Sequence, residues 1–423
     1  MRMPKRAYYD LGHGGFQQVK KRCPIAPAPA DCVTIRAGMD PDLRIAIDIR
    51  PALLRGTGVG TFVEQLVSAL DSLDGGHRLL LFTSSWSDRW PRGRLEGLQR
   101  SQLFDRRWPV RLLDLLWHRL GWPPVERFVG PADVLHSPTP LLLPGRGAKV
   151  VTLHDLHFLR HPEHTRGEVR RDYAGLLRRH LAGADAVVAV SEATAHEAEE
   201  MLGLAPERVV VCGEDAAPLF DRPPSESELR DSKSLAPQPF FLFVGTIEPR
   251  KNLPNLLRAY AALQTLHPEL RLVLAGERGW GLGPFEEALD SLPEPSRVVV
   301  TGYRDQVALR ALYHRAVALV MPSLCEGFGL PLVEAMACGC PLIAAERSAM
   351  PEVAGEAALY WRGDRPGELA ALMEKLLADS ELRDDLVARG RRRRRAFSWR
   401  KSAETVLALY RDLAGGERGL RGS

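Results

Sequence analysis

From Leu43 onward the chain repeats one pattern. A short run of almost unbroken Val, Leu and Ile is followed by a longer segment with apolar residues at helical spacing. LRIAIDI (43–49), HRLLLFT (77–83), DVLHS (133–137), KVVTLHD (149–155), AVVAVS (186–191) and RVVVCG (208–213) read as strands. TFVEQLVSALDSL (61–73), EVRRDYAGLLRRHLA (168–182) and EATAHEAEEML (192–202) read as helices between them. Strands apolar on both faces must be covered on both, so the pattern predicts a parallel sheet flanked by helices.

The stretch 214–239 then turns polar and rich in Pro and Ser, the composition of a linker. A second series follows, with strands expected at 240–246, 271–277, 297–303, 316–323 and 341–345 and helices at 252–266, 306–316 and 331–339. A chain of 423 residues is too long for one core. The expectation is an α/β protein of two Rossmann-like domains, 39–213 and 240–396, joined by the 214–239 linker. In such sheets ligands bind at the carboxyl ends of the strands, in the crevice between domains.

Composition narrows the function classes. Hydrophobic residues make up 45% and charged residues 26%, with a formal net charge of +4, so no concentrated basic face marks a nucleic-acid binder. The arginine run 391–395 reads as a solvated helix end. Six cysteines at 23, 32, 212, 325, 338 and 340 form no CxxC pair and read as reduced, mostly buried thiols of a cytosolic protein. No apolar stretch reaches the roughly 18 residues of a membrane span. Residues 1–38, without an apolar core or a clear period, read as a disordered extension or a misplaced translation start.

Chemistry is sought at strand ends. Gly56, Gly58 and Gly60 follow the first strand and precede a helix, a place for a phosphate or a close approach; the plainer reading is a flexible turn. His154 ends the strand 149–155 and points into the crevice, with His157, His161 and His164 as surface loop residues; the alternative is a metal cluster. Arg250 and Lys251 stand at the mouth of the strand 240–246, just before a helix, and form a receptor for a diphosphate. Glu326 and Glu334 bracket the turn Gly327-Phe328-Gly329 and the helix start Leu330-Pro331, both facing one crevice. A carboxylate accepts paired hydrogen bonds from a vicinal diol, as ribose and hexoses present. Glu334, read into the first helical turn, could instead only complement the helix dipole.

These residues resemble the family 4 (group 1) retaining glycosyltransferases of GT-B architecture, over about Leu43 to Leu413. The resemblance rests on Gly58-Val59-Gly60, Val190-Ser191-Glu192, Gly245 to Asn252, and above all Glu326-Gly327-Phe328-Gly329-Leu330-Pro331-Leu332-Val333-Glu334. It implies that FSWRKSAETVLALYRDL (397–413) is a closing helix that crosses back onto the N-terminal domain. It implies that Arg250 and Lys251 neutralise the leaving diphosphate, Glu334 binds ribose and Glu326 the transferred sugar. Backbone N–H groups of Phe328, Gly329 and Leu330 would contact phosphate and sugar, with His154 beside the sugar ring and Gly60 letting the acceptor loop approach.

The implied activity is metal-independent, front-face transfer of a hexose from a donor such as GDP-mannose or UDP-glucose, with no cofactor. The acceptor would be a glycan or lipid-linked hydroxyl in bacterial surface polysaccharide or glycolipid assembly, at the cytoplasmic face of a membrane. Asp40-Pro41-Asp42 matches a metal-binding DxD pattern but precedes the first strand. RRWPVRLLDLLWHRLGWPP (106–124) reads either as core packing or as an interfacial surface. Two rivals share the architecture: a sugar-nucleotide 2-epimerase and a non-catalytic nucleotide-sugar binder.

Overall fold

The structure is a computed structural model that describes residues 43–421 apart from 54–55, 87–89, 91–96, 166 and 238. The segment 1–38, with Cys23 and Cys32, and the Asp40-Pro41-Asp42 triplet lie outside the described residues.

The first sheet consists of β1 (Leu43–Asp48), β2 (His77–Ser84), β3 (Ser101–Arg106), β4 (Val134–Ser137), β5 (Ala148–Leu153), β6 (Ala186–Ala189) and β7 (Val209–Val211). They run parallel in the order β3-β2-β1-β4-β5-β6-β7. The second contains β8 (Phe240–Val244), β9 (Arg271–Ala275), β10 (Val298–Val300), β11 (Ala318–Met321), β12 (Leu342–Ala345) and β13 (Ala358–Trp361), parallel in the order β10-β9-β8-β11-β12-β13. This is the GT-B fold. Strand order reverses between β1 and β4 and again between β8 and β11, and each reversal opens a crevice at the strands' carboxyl ends.

The apolar runs behave as their composition dictates. Every residue of β8, FFLFV, is buried, as are all four of β11. Two strands escaped the sequence reading for a physical reason. β3, SQLFDR, is a half-exposed edge with mixed polarity, and β13, ALYW, is a four-residue edge. The stretch 214–239 differs from the open linker expected of it. Ser225 and Glu228 form a capping box that starts a helix at Glu226–Leu235. That helix lies on the Gln306–Arg315 helix, where Arg310 binds Glu228 and Arg315 donates to Ser232 Oγ at 3.1 Å and to Ala236 O at 2.7 Å. The arginine run is also less solvated than expected: Arg394 pairs with Asp215 at 2.9 Å, and Arg393 donates to the carbonyls of Glu352 and Val353.

The segment 106–124 combines both of its readings. In the helix Val110–Leu120, Leu113 and Trp117 are buried against Phe82 and Phe128, while Leu112, Leu115, Leu120 and Trp122 stay exposed beside Arg111 and Arg119.

The C-terminal helix Trp399–Arg421 returns to the first domain and packs on the helix Gly58–Ser72. Its Tyr410 Oη lies 2.5 Å from Nδ1 of His136 in β4, whose Nε2 meets Thr152 Oγ1 at 2.8 Å. His136 is fully buried, and burial together with the charge of His154 lowers its pKa to about 3, so it is neutral with both ring nitrogens satisfied. Tyr410→Phe would strand Nδ1 without a partner. The expected loss is about 1–3 kcal/mol of unfolding free energy, read as a lower denaturant midpoint. An unchanged midpoint would show that the tyrosine only fills space.

Candidate active site

β8 and β11 are neighbours, so the loops leaving their carboxyl ends face each other. After β8 the chain makes a tight turn at Pro249–Lys251 and enters the helix Leu253–Gln264 through Asn252, held at φ 54° with its side-chain amide donating to Pro322 O at 3.1 Å. After β11 it runs through Ser323 to Glu326. The two loops meet on one carboxylate. Lys251 Nζ lies 2.6 Å from Glu326 Oε1, Arg250 Nη1 lies 3.1 Å from Oε2, and Ser323 Oγ donates to Oε1 at 2.6 Å.

Arg250 has further partners. It donates to Glu248 Oε1 at 3.1 Å and Cys325 O at 2.9 Å, and stands 3.8 Å from Asp155 of the first domain. Burial alone would raise the Glu326 pKa, but the charges of Lys251 and Arg250 outweigh it and hold the carboxyl at about 2. Thus Glu326 is ionised at neutral pH. The residues expected to grip sugar and diphosphate separately form one ion-paired cluster. The Lys251 ammonium keeps two N–H donors beyond the one given to Glu326.

Glu334 sits differently from its sequence reading. The helix begins at Leu330, so Glu334 is its fifth residue, in the second turn. It is 8% exposed and accepts from Tyr313 Oη at 2.8 Å. Burial pushes its pKa up to about 7, opposed by the Tyr313 hydrogen bond and aided by the Glu214 charge. A dipole-complementing role loses its basis, since the residue lies beyond the first turn.

Between the two glutamates, Gly327 rests directly on the first domain. A Cβ there would fall on the carbonyl oxygen of His154, so no other residue fits. Gly329 takes φ 98° at the start of the helix Leu330–Cys338, a conformation that favours glycine. The N–H groups of Phe328, Gly329 and Leu330 meet no acceptor among the described residues. They are free donors at a helix N-terminus. The Phe328 ring packs edge-on against Phe397.

From the first domain, His154 follows β5, its Nε2 3.1 Å from Pro138 O and its Nδ1 3.6 Å from Glu214 Oε1. Gly58 opens the helix Gly58–Ser72 and comes near Leu330 of the other domain. Gly60 is buried, and its N–H is taken by Thr57 Oγ1 at 3.1 Å, a helix cap in place of a phosphate contact. The remaining histidines are only partly surface residues. His157 is buried, 3.0 Å from His164, while His161, Glu163 and His164 offer ligand atoms within 4.8 Å of one another.

Two family descriptions divide the chain as the two sheets do. "Glycosyltransferase Family 4" matches residues 56–213 and "Glycosyl transferases group 1" matches 225–393. O-antigen chain mannosyltransferase B of Escherichia coli is 30% identical over 286 residues, spanning 66% of this chain and 74% of that protein. The chain belongs to the group 1, family 4 glycosyltransferases.

Other relatives are matched in part. The D-inositol 3-phosphate glycosyltransferase of Actinosynnema mirum is 32% identical over 241 residues, 54% of this chain and 58% of that one. The serotype-specific mannosyltransferase WbdA of Escherichia coli is 32% identical over 235 residues, 53% of this chain, but the match spans only 28% of its own length. Among solved structures, the sucrose-phosphate synthase of Thermosynechococcus elongatus superposes with a TM-score of 0.71 at 22% identity, over 88% of this chain and 100% of that one. WaaG, a glycosyltransferase involved in lipopolysaccharide biosynthesis, gives 0.66 at 17% identity, over 86% and 99%.

Sequence reasoning missed Glu214, Tyr313 and Ser323 in this glycosyltransferase. Glu214 had a signal, since it follows β7 by three residues and strand ends are where ligands bind. Tyr313 had none: it lies inside the helix Gln306–Arg315 and reaches Glu334 only through packing.

Glu326→Ala leaves the buried Lys251 without its counter-ion and takes one of the half-buried Arg250's carboxylate partners, an expected loss of about 3–5 kcal/mol at pH 7. The folded pKa lies below the ordinary carboxyl value, so the carboxylate's stabilisation is full above about pH 4.3 and fades as pH falls toward 2. Denaturant midpoints of wild type and variant should therefore differ by a constant amount from pH 7 to pH 5 and converge below it. A gap independent of pH would refute the ion-pair account.

Proposed function

We propose that the enzyme is a retaining hexosyltransferase of the mannose or glucose type, using a nucleotide-diphosphate sugar and a hydroxyl of a glycan or lipid-linked acceptor. The observation that carries this reading is the convergence of Lys251, Arg250 and Glu326 beside the free N–H groups of residues 328–330, opposite His154. Cations and N–H donors in a water-poor cleft stabilise charge that develops on a leaving diphosphate.

In this proposal the bond from the anomeric carbon to the diphosphate oxygen breaks while the acceptor oxygen bonds to the same face. The acceptor's proton passes to the leaving phosphate oxygen, so no protein nucleophile is used and configuration is retained. Lys251 and Arg250 supply the positive charge that a divalent ion supplies elsewhere, and so no metal is required. Glu326 orients both cations and accepts from the transferred sugar. Glu334 accepts from the ribose diol, and His154 flanks the sugar. The naming of the Escherichia coli relatives as mannosyltransferases favours mannose.

None of the described helices is long and apolar enough to cross a membrane. A lipid-linked acceptor would be reached through the exposed Leu112, Leu115, Leu120 and Trp122, flanked by Arg111 and Arg119, at the inner face of the cytoplasmic membrane. Leu115→Asp with Leu120→Asp should abolish co-sedimentation with anionic vesicles while donor hydrolysis persists. Vesicle binding that survives both changes would remove the membrane from the proposal.

The test of activity is nucleotide release from a panel including GDP-mannose and UDP-glucose, with and without EDTA. Lys251→Ala should lower kcat by about 100- to 1,000-fold. Full activity of that variant, or activity lost in EDTA and restored by manganese, would overturn the mechanism. Glu334 adds a pH signature. Diol binding favours the charged carboxylate, whose pKa in the free enzyme is raised to about 7, so nucleotide affinity should weaken as pH falls below 7. Glu334→Gln should bind more weakly at pH 8 and lose that dependence.

A further inference from the structure

The helix Glu192–Leu202 of the first domain carries an unusual cap. Ser191 Oγ takes the Thr194 N–H at 3.0 Å, the ordinary side-chain cap. The next two donors are taken from across the cleft: Glu192 N–H and Ala193 N–H each donate to one carboxylate oxygen of Glu352, both at 2.9 Å. Glu352 lies in the short helix Met350–Ala354 of the second domain. The same helix end also holds the donor loop, because Ser191 Oγ and Thr194 Oγ1 donate to Gly327 O at 2.5 and 3.1 Å.

The segment bearing Glu352 reaches the backbone of Glu326 from its other end. Ser348, in the left-handed region at φ 53°, donates to the Glu326 carbonyl at 2.6 Å, and Ala349 N–H approaches the same oxygen at 3.4 Å. A non-glycine residue held in that region costs of the order of 1 kcal/mol and persists only where its surroundings impose it. Arg393 secures the far side through the carbonyls of Glu352 and Val353. Residues 348–352 therefore span from the Glu326 backbone to the first domain's helix.

We infer that Glu352 is a positioning residue: its carboxylate, docked on the N-terminus of the Glu192–Leu202 helix, latches the two domains together and holds the loop carrying Glu326 in its working place. With the latch open, Glu352 returns to water, Gly327 O loses both hydroxyl donors, and the loop between the two active-site glutamates loses its support. The inference rests on the proposed function for its effect on turnover, but not for its effect on shape.

The full chain is therefore tested in two ways. Small-angle scattering reads domain separation without substrate, and steady-state kinetics read kcat and donor KM. Glu352→Ala should enlarge the radius of gyration and lower kcat by about 3- to 30-fold. Affinity for the nucleoside diphosphate alone should change less than kcat. Glu352→Gln keeps one acceptor and should recover part of both effects, which a space-filling role would not predict. Glu192→Pro probes the other side. It removes one donor at the first helical position, where proline is tolerated after the extended Ser191, and should reproduce part of the expansion. Glu356→Ala, exposed and nearby, should behave as wild type.

A Glu352→Ala protein with wild-type radius and wild-type kcat would sink the latch. Expansion with unchanged kcat would confine Glu352 to cohesion and refute the positioning role. If the wild type turned over no donor at all, the proposed function would fail, while the scattering would still decide whether the latch exists.

Discussion

One buried carboxylate sets the geometry of the second domain's side of the cleft. Glu326 is held by Lys251, Arg250 and Ser323, and all three contacts must be made at once because a buried charge tolerates no missing partner. That requirement ties the loop after β8 to the loop after β11. The left-handed turn at Asn252 and the close passage of Gly327 over His154 accompany this arrangement. A carboxylate that holds two cations also tunes them. It lowers their net charge and fixes their positions.

The two domains contribute unequally to the site. The second supplies Lys251, Arg250, Glu326 and the free N–H donors; the first supplies His154, Asp155 and a surface on which the loop after β11 rests. Their junction includes polar contacts, a Glu352 carboxylate on a helix end and the hydroxyls of Ser191 and Thr194 on the Gly327 carbonyl. Such contacts exchange readily with water.

Most of the architecture was legible because parallel strands buried on both faces leave continuous apolar runs. LRIAIDI, FFLFVGT and AVALVMPS could hardly be anything else. Illegible elements were those that the rest of the fold, not their own composition, makes regular: the edge strands β3 and β13, and the helix Glu226–Leu235, whose polar sequence is ordered by its cap and by Arg310 and Arg315. In the site, position at a strand end identified Arg250, Lys251, Glu326 and His154 as neighbours in the crevice. What the strand-end rule could not show was pairing. The union of Glu326 with both cations, the Tyr313 contact to Glu334 and the capping of Gly60 by Thr57 depend on side-chain directions that only packing decides.

The bond between His136 and Tyr410 joins residues 274 positions apart. A ribosome makes β4 long before it makes the last helix. Through that interval the first domain has its sheet but lacks the partner for a buried imidazole and the cover for the helix Gly58–Ser72. The domain begun first is thus completed last. The chain's birth order runs from the first domain, through the second, and back, so a chain halted between Trp361 and Tyr410 has every strand of the second sheet and an unsealed first domain.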